Sequence, residues 1–154
     1  MRTVDQWLSE YGESHQDHTN KLIHWICVPL IFFSIVGLLY SIKLPWVIGG
    51  YTVNVAVIAL VLVALYYLRL SISLGIAMIV FIMICLSLCY LIENSTGLPL
   101  WIVSVTIFVL AWIGQFYGHK VEGKKPSFLK DLQFLLIGPM WLMSFIFKRS
   151  GINY

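Results

Sequence analysis

The chain has 154 residues, of which 60% are apolar and 11% charged, against roughly 45–50% and about 25% in ordinary soluble domains. Ten Lys/Arg against seven Asp/Glu give a formal charge of +3, and nearly all of these charges lie before residue 22 or after residue 118. This balance describes a membrane protein; it excludes a disordered chain, a coiled coil and a nucleic-acid module, because no basic stripe interleaved with exposed aromatics is present. The length fits one compact bundle, a single membrane domain over residues 1–154.

Residues 1–21 carry Arg2, Asp5, Glu10, Glu13 and Asp17 without a continuous apolar run. No cleavable secretion signal is therefore expected, and the first membrane span directs insertion. Tyr11 and His15 are spaced i, i+4 on a short predicted helix, and Thr19 or Asn20 is expected to cap a helix that starts at Lys21. Residues 22–118 divide on the length of a bilayer core, about 20 helical residues. Four spans result: Leu22 to Ile42, Trp46 to Leu68, Ser71 to Ile92 and Leu98 to Tyr117. The links are short, notably Lys43 to Pro45 and the turn-rich Glu93 to Gly97, which predicts antiparallel neighbours. Within 119–154, the stretch from Leu132 to Phe147 is short and interrupted by Gly138 and Pro139, which predicts a re-entrant or interfacial helix pair. The expected fold is an all-α membrane bundle of four spans plus this C-terminal stretch.

Counting cations by side fixes the expected orientation. Arg2, Lys21, Arg69, Lys120, Lys124, Lys125 and Lys130 fall on one face and Lys43 on the other, so both termini are expected in the cytoplasm. The membrane would be the inner membrane of a bacterium or the endoplasmic reticulum of a eukaryote. Cys27, Cys85 and Cys89 all lie in apolar runs and read as packing residues.

The four histidines, His15, His18, His24 and His119, all fall at this cytoplasmic boundary, because an even number of crossings returns the chain to the face where it began. His15 and His24 would be on opposite sides of one continuous helix, so they converge only if the chain bends between them. His119 and Glu122 are i, i+3 and share a face if the fourth helix extends past Tyr117. Neutral imidazoles with a carboxylate suit iron(II) or zinc(II), and the absence of nearby cysteines disfavours an iron–sulfur cluster. The other readings are interfacial anchoring for the histidines, a surface role above all for His18, and solvation or support of a histidine tautomer for Glu122. Lys120, Lys124 and Lys125 read as the orientation signal or as attraction for an anionic headgroup or substrate carboxylate.

Two spaced motifs carry a resemblance: Tyr11-x3-His15-x4-Asn20-x3-His24-x4-Pro29, and Gln115-Phe116-x-Gly118-His119 followed by Glu122 and Pro126. On these residues the chain resembles the 2-hydroxy fatty acid dioxygenase family of small membrane proteins. The resemblance implies an iron(II)-dependent step in which a 2-hydroxy fatty acid and dioxygen yield a fatty acid one carbon shorter. His15, His24 and His119 would hold the iron, Tyr11, Asn20 and Glu122 would assist the chemistry, and Lys120 or Lys124 would draw in the carboxylate. A zinc-dependent lipid hydrolase with Glu122 as general base, and a non-enzymatic scaffold or small transporter, are the other function classes. The scarcity of polar residues in the second and third spans argues against an ion path. Partners are then the hydroxy acid, dioxygen and membrane lipid, with no nucleic acid and the oligomeric state left open.

Overall fold

The computed structural model describes residues 2–126 and 133–154. Lys130 and Leu132 therefore lie outside the described residues. Among the described residues there are six helices and one small hairpin: α1 (Val4–Gly12), α2 (His18–Tyr40), β1 (Lys43–Ile48), β2 (Tyr51–Asn54), α3 (Val55–Leu70), α4 (Ile72–Ser95), α5 (Leu100–Glu122) and α6 (Phe134–Arg149).

Short polar residues start most of these helices. Thr3 and Gln6 form a reciprocal capping box at α1. The α2 cap is Asp17, whose carboxylate accepts from Asn20 N–H at 3.0 Å. This corrects the expectation of a cap at Thr19 or Asn20: the acidic side chain precedes both and starts the helix three residues before Lys21. Asn54 caps α3 and Ser71 caps α4, accepting from Val57 N–H and Leu74 N–H. Ser71 is also the only break between α3 and α4. The turn is tight enough that a Cβ on Gly75 would lie 2.9 Å from the Leu68 backbone.

Among the described residues three helices, α2, α4 and α5, are long and apolar enough to cross a membrane. The second expected span is where sequence and structure part. Its first residues, from Trp46, form an antiparallel hairpin around Gly49 and Gly50, both at positive φ. Such a turn favours glycine, and aromatic and β-branched residues on either side favour strand pairing. What remains of the span is α3, with 16 residues and a length of roughly 24 Å at about 1.5 Å per residue. The C-terminal stretch also differs from expectation. It is one uninterrupted helix rather than a pair, with Gly138 and Pro139 inside it.

The α2–α5 pair is the spine. The two run antiparallel: Gly37 of α2 meets Ser104 of α5, while Gly114 and Gly118 of α5 meet Cys27 and Asn20 of α2. Small residues allow this close approach, which matters in lipid, where apolar surface alone does not drive helices together. The α6 helix packs on α1, α2 and α4 and buries Ile137, Met140 and Trp141. Tyr67 of α3 donates its hydroxyl hydrogen to the Leu136 carbonyl at 2.8 Å, tying α3 to α6. The outward faces of α3, α4 and α5 leave Leu62, Leu65, Ile76, Val80, Leu110 and Ile113 more than half exposed. A contiguous apolar surface of this kind is rare on water-soluble monomers and suits lipid.

Candidate metal centre

The antiparallel α2–α5 pair sets His24, near the start of one helix, beside His119, near the end of the other. The loop after α1 adds His15. Each of the three imidazoles offers one nitrogen, and these nitrogens lie within 4.8 Å of one another. All three side chains are buried, whereas His18 is exposed at the first position of α2 and is not part of the cluster.

Backbone carbonyls fix two of the rings. His15 Nδ1 donates to the Tyr11 carbonyl at 2.6 Å, and His24 Nδ1 donates to the Asn20 carbonyl at 2.8 Å. A carbonyl only accepts, so the hydrogen of each neutral ring is on Nδ1 and Nε2 keeps its lone pair. The two Nε2 atoms face one another at 2.8 Å. Two lone pairs at that separation repel unless a cation lies between them. A proton is a poor candidate, because burial pushes the His15 imidazole down to about 4. A divalent metal ion meets the requirement, and Nδ1 of His119 is a further buried nitrogen without a hydrogen-bond partner in the described structure. The donor set fits a nitrogen-ligated metal.

Around this trio the packing is specific. The Tyr11 ring stacks on His15 with centroids 4.2 Å apart and planes 12° apart, and Trp141 lies 5.2 Å from the same imidazole. Tyr11 is buried, which raises its phenol pKa and keeps it protonated. Gly138 of α6 leaves room for it: a Cβ there would lie 2.9 Å from the Tyr11 hydroxyl.

Glu122 is placed on the expected face, because α5 continues past Tyr117 and ends at Gly123 in a left-handed conformation. Its carboxylate, however, is engaged with the α1–α2 loop. Oε1 accepts from Gln16 N–H at 2.8 Å, while Oε2 accepts from Asp17 N–H at 2.7 Å and from the Asn20 amide at 3.1 Å. The Asn20 amide also donates to the Ser14 carbonyl at 3.2 Å. Together they hold the bend that brings His15 back over His24. Lys124 extends the clamp by donating to the Glu13 carbonyl, and Lys120 is exposed.

A narrow cavity of about 30 Å³ opens from His24 and His119, walled by Tyr11, Val28, Ile31 and Trp112 among others. Gln115 also lines it, one helical turn from His119 on the same face. Reading the sequence placed Gln115 in the second motif without a role and Gly138 as a helix interruption, and gave Trp112 and Trp141 no part in the site. For Gln115 the signal was present in its spacing from His119; the other three are identified only by contacts between distant helices.

Fold and site together define a small apolar helical bundle with a histidine-lined centre at one end and an apolar cavity leading from it. The chain belongs to the Mpo1-like family, described as 2-hydroxy-palmitic acid dioxygenase Mpo1-like, with a match over residues 1–150. It is 31% identical over 144 residues to the protein named 2-hydroxy-palmitic acid dioxygenase MPO1 of Saccharomyces cerevisiae, a match covering 92% of this chain and 78% of that protein. No solved structure matches the chain.

Proposed function

We propose that this chain is an iron(II)-dependent dioxygenase of the membrane boundary that shortens a 2-hydroxy fatty acid by one carbon. The observation that carries the reading is the pair of bare, buried Nε2 atoms facing each other at 2.8 Å beside an apolar cavity. The family match and the name of the yeast relative supply the substrate class.

The overall conversion balances without another reductant. A 2-hydroxy acid plus dioxygen gives the acid one carbon shorter, carbon dioxide and water; C2 and the carboxyl carbon together lose four electrons, the capacity of one dioxygen. Iron(II), when bound by His15, His24 and His119, supplies the one-electron chemistry that lets triplet dioxygen react with a closed-shell acid. The protein positions, shields and selects. Tyr11 and Trp141 wall the imidazoles from solvent, and Tyr11 remains a neutral phenol able to donate its hydrogen. Asn20 and Glu122 hold the loop that presents His15. The alkyl tail runs among Val28, Ile31 and Trp112, where each buried methylene contributes about 0.8 kcal/mol. Lys120, exposed at the same boundary, draws the carboxylate toward the site, whereas Lys124 acts through the loop. Three N–H donors tie both Glu122 oxygens to the α1–α2 loop, which counts against Glu122 as the general base of the hydrolase reading.

Both termini and the histidine centre are assigned to the cytoplasmic face by the positive-inside rule. The test is anaerobic purification, quantification of bound metal, and mass-spectrometric assay of a 2-hydroxy acyl panel after admission of air. An acid one carbon shorter is expected, and His15→Ala, His24→Ala and His119→Ala should each lose both metal and turnover while still inserting. Full turnover in any of the three, or a hydrolysed lipid as product, would overturn the proposal.

A further inference from the structure

We infer that Gln115 is the residue that recognises the 2-hydroxyl group of the substrate; the inference rests on the function proposed above and deepens it. Gln115 is only 6% exposed, and its Oε1 has no hydrogen-bond partner in the described structure. An amide oxygen buried without a partner costs about 1–3 kcal/mol, so a ligand that satisfies it recovers that penalty on binding. Position specifies the ligand atom. The residue lines the same cavity as His24 and His119, and it sits four residues before His119, roughly 6 Å further along α5 toward Trp112. A head group at the imidazoles with its tail directed toward Trp112 brings its C2 near this amide, the cavity of about 30 Å³ widening as the chain enters.

Chemistry then selects the hydroxyl. Oε1 only accepts, so its partner must donate. A fatty acid anion has no donor, since its carboxylate also only accepts. The anion of a 2-hydroxy acid has one, the hydroxyl hydrogen. A site built to bind a hydroxyl discriminates against the analogue lacking it, because the polar group of the protein is otherwise left unpaired.

The test measures binding by quenching of tryptophan fluorescence, with Trp112 in the cavity wall as a reporter, using 2-hydroxypalmitate and palmitate in detergent. It compares chelator-stripped protein with zinc(II)-loaded protein, in which the ligand is not consumed. Stripped wild-type protein should favour 2-hydroxypalmitate by roughly tenfold, the order expected for one neutral hydrogen bond. Gln115→Leu should reduce that preference to about twofold or less while leaving palmitate affinity and zinc binding intact. Its thermal midpoint without ligand should be unchanged or higher, since an unpaired polar group has been removed; a structural role for Gln115 would lower it. Retained preference in Gln115→Leu, or a wild-type preference that exists only with zinc bound, would overturn the inference and leave the proposed function standing. Failure of wild-type protein to favour the hydroxy acid in either state would instead overturn the proposed function. If Gln115→Leu does not fold, Gln115→Met serves as the second variant, with the same outcomes.

Discussion

Two backbone carbonyls, those of Tyr11 and Asn20, decide the chemistry of His15 and His24 by holding a hydrogen on each Nδ1. Asn20 also links this pair to Glu122 through its side-chain amide. Glu122→Gln exchanges one accepting oxygen for a donor and leaves Gln16 or Asp17 N–H unpaired, at a cost of about 1–3 kcal/mol. Metal affinity should fall roughly 10–100-fold, the range for a supporting partner, and turnover per bound metal should stay near that of the wild type. Titration of metal content against activity checks this; lost turnover with metal still bound would make Glu122 a reacting group. A pH dependence follows at His15. Its folded value of about 4 lies below the ordinary 6.5, so in metal-free protein its contribution to stability is complete above about pH 6.5. That contribution disappears as the pH falls toward about 4, and thermal midpoints recorded across that window should decline accordingly. Of these residues, the clustered His15, His24 and His119 were legible in the sequence, since the shared boundary gathered all four histidines and the motif spacing set His18 apart. The engagement of both Glu122 oxygens was not, because Gln16 and Asp17 contribute only backbone N–H groups, which every residue but proline has.

Among the elements, the seam between α2 and α5 sets the geometry of the centre. Gly114 and Gly118, one turn apart on α5, let α2 approach closely enough for His24 to reach His119. A Cβ on Gly118 would lie 2.5 Å from Asn20 Oδ1, and that side chain is pinned by Ser14 and Glu122. Gly118→Ala should therefore cost about 1–3 kcal/mol by overpacking and also weaken metal binding, which thermal unfolding and metal titration would reveal together. The long apolar helices α2, α4 and α5 were legible because lipid demands length and hydrophobicity. The hairpin was not, because Trp46, Val47 and Ile48 are as apolar as a span; only Gly49-Gly50 marks the turn. In α6, Pro139 suggested an interruption, yet packing against α1, α2 and α4 keeps one continuous helix.

For the molecule as a whole, polarity along the bundle axis is the organising fact. The imidazoles occupy one end, while Lys43 of the hairpin pairs with Glu93 in the last turn of α4 at 2.9 Å, at the opposite end. Cysteines introduced as Lys120→Cys and Ile48→Cys should therefore react with a membrane-impermeant reagent from opposite sides of a sealed vesicle, the native Cys27, Cys85 and Cys89 being buried. Labelling from the same side would refute the assigned orientation. Among the described residues the cluster of His15, His24 and His119 offers nitrogen donors alone, and this has a cellular consequence. Such a trio binds copper(II) and zinc(II) more avidly than iron(II), following the general affinity order of divalent ions. For the iron(II) function proposed above, the ion that fills the centre would then depend on what the surrounding compartment supplies, and zinc excess should silence the protein without unfolding it.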